Sequence, residues 1–363
     1  MIITKPTLLL DRSKFEKNVD VMTQKAEENN VIFRPHFKTH QSAELAEYFK
    51  KKGIEKITVS SVTMAEYFAS AGWKDITIAF PFNILEIQKV NEMLAQSIKL
   101  NLLVESLETM TFIIRHVKKT CDIYIKIDTG NHRTGIPADK KSVIQEIIAL
   151  IQSSRQNFKG FIVHAGHTYD AGNFDEICSI NSETINNLNE LKKLEGAENA
   201  IISVGDTPSS SLARNFEGID EIRPGNFVFY DLMQAKIGSC NFDRIAVSVA
   251  CPVVAKHYDR NEIVVYCGAV HLSKDFIMHD NEKCYGFCVE YNKDMTWHNP
   301  SAYTFVRKLS QEHGIIKSTR NVLDHTKIGD IIGIIPVHSC LTADNYDHYT
   351  ELQGNVINKM RSL

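Results

Sequence analysis

What this sequence lacks narrows it before any motif is read. No apolar run approaches the roughly 20 residues that a membrane-spanning helix needs. Neither sign of charge dominates: a formal net charge of −3 and a pI near 6.5 leave no strongly basic face for nucleic acid. The eight cysteines, at positions 121, 178, 240, 251, 267, 284, 288 and 340, contain no C-x-x-C pair, and several sit in apolar runs such as Val249-Ala250-Cys251-Pro252-Val253. The opening residues, Met1-Ile2-Ile3-Thr4-Lys5-Pro6, lack the charged-then-apolar pattern of a secretory signal. Internal repeats, low-complexity tracts and long charge runs are also missing. The expectation is a cytoplasmic protein with reduced core thiols and with neither a membrane nor a nucleic acid as partner.

What is present is alternation. Short β-branched runs at 31–35, 56–60, 75–80, 99–105, 122–128, 160–164, 200–205 and 221–223 are separated by helix-period stretches such as 42–51, 62–72, 84–96, 107–117, 140–153 and 175–194. Eight strand–helix alternations predict an α/β fold, a (β/α)8 TIM barrel, with an open doubly wound sheet as the rival. Thr7–Asp11 reads as a strand leading into a helix over 14–29. After residue 235 the texture changes to short β-rich runs broken by turn residues. The predicted domains are therefore 1–235, a barrel from which residues 1–10 are separable, and 236–363, all-β.

Chemistry-bearing residues collect where barrels place their working groups, at the C-terminal ends of strands. His36, Lys38 and His40 follow the first strand, and Asp128-Thr129-Gly130-Asn131-His132-Arg133-Thr134-Gly135 follows the fifth. His164, His167 and Tyr169 come after the sixth, Gly205-Asp206-Thr207-Pro208-Ser209 after the seventh, and Arg223-Pro224-Gly225-Asn226 after the eighth. A lysine ending a strand that heads into a core is a candidate for Schiff-base chemistry. Glycines and hydroxyls after the last two strands suit a phosphate. Lysine and phosphate loops together suit pyridoxal 5′-phosphate (PLP). Far downstream, His338 and Cys340 stand two apart, so on an extended strand they would share a face. An imidazole and a thiolate are zinc ligands, and two of them leave positions open for water or substrate.

The segments Pro35–His40, Asp128–Gly135 and Arg223-Pro224-Gly225 resemble those of fold-type III PLP enzymes. Within that group the chain resembles the D-threonine aldolase / D-serine dehydratase family, whose barrel is like that of alanine racemase. The resemblance extends from Pro6-Thr7 to the His338–Cys340 segment. It implies that Lys38 forms the Schiff base, that Arg133 lies near the cofactor's phenolic oxygen and that Arg223 faces the ring nitrogen. It further implies that His36, His164, His167 and Tyr169 line the ring, with Lys38, His164 and His167 the catalytic candidates. Gly205, Asp206, Thr207, Gly225 and Asn226 match the phosphate loops. Asp206 departs from the small hydroxyl residue expected there, so its backbone N–H rather than its carboxylate would serve. His338 and Cys340 as ligands of Zn2+, or another divalent metal, imply a dehydratase over an aldolase.

The implied reaction is β-elimination of a D-β-hydroxy amino acid, D-serine foremost, to pyruvate and ammonia. The alternatives are metal-dependent retro-aldol cleavage to glycine and an aldehyde, an amino-acid racemase, and a non-catalytic PLP carrier. A homodimer is implied by the resemblance alone.

Overall fold

A computed structural model of the chain describes residues 1–300 and 303–360. It divides into two compact units, one running from Val21 to Gly225 and the other joining Met1–Asp20 to the chain from Asn226 onward. The expected boundary lay between residues 235 and 236; the compact units part at Asn226, and the first twenty residues belong with the later part of the chain. The reason is strand pairing. The strand β1 (Thr7–Leu10) pairs antiparallel with Val247–Ala250 and parallel with Thr350 and Glu351. The helix α1 (Arg12–Glu28) follows it, and the division falls inside that helix.

Eight parallel strands form the centre of the first unit. They are β2 (Ile32–Phe33), β3 (Lys56–Val59), β4 (Asp75–Pro81), β5 (Lys99–Val104), β6 (Asp122–Asp128) with the two-residue β7 (Ile136–Pro137) appended, β8 (Asn157–Val163), β9 (Ile201–Val204) and β10 (Glu221–Ile222). Their order is β3-β4-β5-β6-β8-β9-β10-β2. A parallel bridge between His36 and Thr58 closes the ring, with Phe37 N–H donating to Thr58 O and Thr58 N–H to Pro35 O, each at 2.9 Å. An open sheet is thereby excluded. The strands β2 and β10 are shorter than expected because Pro35 and Pro224, just beyond them, have no N–H to extend a ladder.

Between the strands lie α2 (Ala43–Lys51), α3 (Val62–Ser70), α4 (Ile87–Ala95), α5 (Leu107–His116), α6 (Lys141–Gln152), α7 (Phe174–Leu191) and the short α8 (Thr207–Leu212). Ser42, Ser61 and Ser106 start three of them, each hydroxyl accepting a backbone N–H three residues on. In α6 the buried Ile144, Ile147, Ile148 and Ile151 recur at the spacing of one helix face.

The barrel interior is polar at one level. The Arg34 guanidinium, 2% exposed, pairs with Glu221 at 2.7 Å and Asp75 at 2.6 Å. Tyr124 and Ser203 also donate to Glu221, at 3.3 and 2.7 Å, and Asn101 donates to Asp75 at 3.0 Å. Above Glu221, at the next inward position, Arg223 Nε donates to Ser203 Oγ at 2.7 Å.

The second unit contains β11 (Val247–His257), β12 (Glu262–Tyr266), a hairpin of β13 (Ile277–His279) and β14 (Glu282–Cys284), then β15 (Gly286–Val289), β16 (Phe305–Leu309), β17 (His313–Lys317), β18 (Ile331–Pro336), β19 (His348–Glu351) and β20 (Val356–Asn358). The cycle β11-β12-β17-β16-β15-β18 closes on itself as an antiparallel barrel, and β1, β19 and β20 extend its sheet from β11. Short helices α9 (Leu232–Lys236), α10 (Ala269–Leu272), α11 (Arg320–His325) and α12 (Ser339–Asp344) interrupt this β-rich unit. No helix of the described residues is long and apolar enough to cross a membrane.

Removing Arg34 would leave Glu221, wholly buried, without its cation. An Arg34→Leu protein should lose about 3–5 kcal/mol of stability in chemical denaturation. A loss no larger than that of an ordinary surface substitution would show that the pair does not hold the barrel.

Candidate active site

Lys38 lies in the turn after β2 and is half-buried. Its neighbour Phe37 is fully buried against Phe49, Phe68 and Trp73, with ring centroids 4.9, 4.9 and 5.1 Å away. The anchored phenyl ring fixes the turn that presents His36 and Lys38. His36 Nδ1 accepts the Lys38 N–H at 3.3 Å, so its ring proton belongs on Nε2. His40, by contrast, packs against Phe37 and Phe49 and accepts the Ser42 N–H at 3.1 Å, a structural role.

Around Lys38 the chain gathers cations. Arg133 is exposed on the loop after β6. That loop is tied at one end by Asp128, whose carboxylate accepts the Gly130 and His132 N–H groups at 3.1 Å each. It is tied at the other by Glu105, which accepts the Gly135 N–H at 2.6 Å. Gly135 has φ +113°, and a Cβ there would meet Asp128 N at 2.7 Å, so only glycine fits. Glu105 was not anticipated, since its role exists only once two strands are neighbours.

Lys126, on β6, was not anticipated either. Its only sequence signal is a charge inside the apolar run Ile123–Ile127. Burial, followed by the charges of Arg223 and Arg133, pushes its amine down to about 7. His164 donates from Nδ1 to Gly205 O, and a carbonyl can only accept, so Nε2 carries the free lone pair. Desolvation, with the positive charges of Lys38, Arg133 and Lys126, holds its pKa at about 3. The same influences, burial first and then Lys38 and Arg223, push His36 well below the usual histidine range. Arg223 is lowered by burial to about 10 and remains charged at neutral pH. Its guanidinium reaches Ser203 Oγ and Val163 O and lies close against Gly205, where a Cβ would come within 2.7 Å of Nη1.

The loops after β9 and β10 fit an anion. Thr207 Oγ1 and Ser209 Oγ are buried with no hydrogen-bond partner among the described residues, as are Asp206 Oδ2 and His167 Nδ1. A phosphate would satisfy the two hydroxyls. Asp206 caps α8 instead of confronting the anion: its Oδ1 accepts the Ser209 N–H at 2.7 Å and the Thr168 hydroxyl at 3.2 Å. Burial raises its pKa, which lessens the repulsion a nearby phosphate would meet. Tyr169 OH accepts the Thr207 N–H at 3.4 Å, with its ring 6.2 Å from that of His164. Gly225 passes close to His36, where a Cβ would lie 3.1 Å from the histidine Cβ.

In the second unit His338 and Cys340 do come together, but not by strand alternation. The chain has left β18, and His338 is the N-cap of α12, with Cys340 in its first turn. The two side chains are within hydrogen-bonding reach of each other. His338 Nδ1 pairs with Asp275 Oδ2 at 2.8 Å; a carboxylate only accepts, so Nε2 is left for a metal. Burial disfavours the charged ring, yet Cys340, Asp231 and Asp275 outweigh it and raise His338 to about 10, so a metal binding at Nε2 would displace a proton. Nitrogen and sulfur donors of this kind fit a zinc-class divalent ion. Among the described residues no group of three or more His, Cys, Asp or Glu could hold a metal, so the pair supplies two donors.

Asn226, expected in the phosphate loops, directs its side-chain amide into this second site. It donates to Asp231 at 2.6 Å, Ser339 Oγ at 3.1 Å and Cys340 Sγ at 3.4 Å. Asp231, 1% exposed, also accepts the Ser339 N–H at 2.9 Å and so holds the start of α12.

The model of the alanine racemase N-terminal domain matches residues 10–232, and that of a putative serine dehydratase domain matches residues 246–352. The D-serine dehydratase of Dictyostelium discoideum is 29% identical over 392 aligned residues, covering 99% of this chain and 96% of that one. The D-threo-3-hydroxyaspartate dehydratase of Delftia sp. strain HT23 is 25% identical, covering 98% and 96%. The solved structure of a D-threo-3-hydroxyaspartate dehydratase from Delftia sp. HT23 superposes with a TM-score of 0.91 at 23% identity, covering 99% and 98%. A mutant D-threo-3-hydroxyaspartate dehydratase has been solved in a form described as metal-free.

The His164 environment has a measurable consequence. The unfolded chain takes up a proton there as the pH falls through about 6.5. The folded chain does so only near 3. Acidification between those values therefore costs stability, and the His164 ring should stay neutral with its proton on Nδ1 from about pH 5 to 8. Nitrogen-15 NMR of the ring across that range checks this, and a titration midpoint near 6.5 would contradict it.

Proposed function

Because the chain belongs to the alanine racemase N-terminal domain family, we propose that it is a PLP- and zinc-dependent lyase acting on a D-β-hydroxy amino acid. The favoured reaction is elimination of the β-hydroxyl from D-serine to give pyruvate and ammonia. One observation carries the reading: a single barrel presents Lys38 after β2 and the buried, partnerless Thr207 and Ser209 hydroxyls after β9, and the same chain brings together a His338–Cys340 pair suited to a metal. The joint likeness to dehydratases over the whole chain supports it.

Bound PLP would supply an electron sink that acidifies the substrate Cα–H. A zinc ion would supply Lewis acidity toward a β-hydroxyl, a poor leaving group by itself.

The remaining work falls to named side chains. Lys38 Nζ would hold the cofactor's aldehyde, and its amine would accept the substrate Cα proton. The Thr207 and Ser209 hydroxyls would bind the phosphate. Arg223, a donor without acceptor capacity, would favour an unprotonated ring nitrogen beside it. His164, kept neutral with Nδ1 on Gly205 O, offers Nε2 as an acceptor. His338 Nε2 and Cys340 Sγ would hold the metal. Free cysteines at all eight positions fit a cytoplasmic, reducing setting. A homodimer is part of the same proposal, on the family resemblance.

Incubation with D-serine should yield pyruvate and ammonia. Glycine with an aldehyde from D-3-hydroxy amino acids, and no oxo acid, would instead establish the aldolase. Lys38→Ala should lose both the cofactor's visible band and turnover. Chelation should stop turnover and leave that band in place, and full activity in metal-free protein would refute the metal's part.

A further inference from the structure

We propose that Asp275 is a positioning residue for the metal, fixing the His338 ring so that Nε2 faces outward to ligate. The inference rests on the reading of His338 and Cys340 as the metal pair. Asp275 lies 63 residues before His338, between α10 and β13, and its Oδ2 is 2.8 Å from His338 Nδ1. Because a carboxylate can only accept, this contact selects the Nδ1–H tautomer and one ring orientation. A ligand histidine held in this way by a carboxylate is both pre-oriented and more basic at its other nitrogen.

The chain around Asp275 is built to hold that contact. Ser273 has φ 74° and ψ −178°, a conformation that almost only glycine adopts without strain. Such strain persists only where surrounding contacts impose it. Its hydroxyl accepts the Asp275 N–H at 3.2 Å, which turns the carboxylate off the end of α10. From the other side, Thr342 of α12 donates its hydroxyl to Leu272 O at 3.0 Å. The helix that carries Cys340 is thus fastened to the segment that carries Asp275. Asp231 does a different job in the same place. It binds the Ser339 N–H and Oγ and the Asn226 amide, fixing the backbone at the helix start and leaving the imidazole ring to Asp275.

The test is Zn2+ affinity, measured on the PLP-loaded protein by competition with a chromophoric chelator, and so independent of turnover. Asp275→Ala should weaken Zn2+ binding by about 10–100-fold. Asp275→Asn keeps an acceptor oxygen without the charge and should fall between that variant and the parent. Both should keep the cofactor band and the parent's thermal midpoint in the metal-free state, since the carboxylate is partly exposed. His338→Ala and Cys340→Ala should lose Zn2+ binding. If they do while Asp275→Ala binds as the parent does, the positioning role is overturned and the metal pair stands. If His338→Ala and Cys340→Ala bind Zn2+ as the parent does, the metal reading and the role of Asp275 fall together.

Discussion

The Arg34 guanidinium inside the (β/α)8 ring is the contact on which the first unit depends. It is shared between Glu221 and Asp75, and Glu221 in turn receives Tyr124 and Ser203. Arg34–Asp75 and Tyr124–Glu221 join strands that are not neighbours in the sheet, so the column is not fully satisfied until the ring has closed. A buried charge without its partner is among the more costly defects a fold can carry. The column therefore makes correct strand order a condition for stability. Its reach extends to the chemistry, because Ser203 hands the same network on to Arg223.

Above that level the balance of charge reverses. Arg34 has two carboxylates, whereas Lys38, Lys126, Arg133 and Arg223 accumulate near the strand ends with fewer acids among them. Burial first, and then the neighbouring positive charges, depress Lys126, His36 and His164 alike. The same charges suit an anionic phosphate, whose oxygens would meet the unpaired Thr207 and Ser209 hydroxyls. Burial keeps these histidines neutral, and the cations beside them reinforce that while favouring an anion.

Much of the fold was legible because it rests on local periodicity. Each of the eight β-branched runs became a barrel strand, and the helix-period stretches between them became helices, three of them with serine caps where the apolar pattern begins. The unit boundary was not legible. Thr7–Leu10 reads as a strand by itself, but nothing nearby says that its partners are Val247–Ala250 and Thr350–Glu351. Sheet pairing over such separations is decided by which edges are available after closure. The site divides the same way. Lys38, Arg133, His164 and Arg223 announce themselves by following predicted strands, whereas Glu105 and Lys126 look like an ordinary loop acid and an ordinary strand lysine.

The His338-x-Cys340 segment marks the limit most sharply. Residue type and spacing were enough to single out a candidate soft-metal pair, since an imidazole and a thiol two apart can be brought to one point by local conformation. The sequence by itself thus determined the barrel's periodicity, and it singled out Lys38, His338 and Cys340 as candidates by residue type and place. Only the tertiary structure decided that the pair sits on a helix start instead of a strand. It also decided that Asn226 serves Asp231 and Cys340, and that Asp275 grips the ring at Nδ1. Each of those depends on side chains that meet only after distant segments have packed, and a one-dimensional pattern records types and spacings but not meetings.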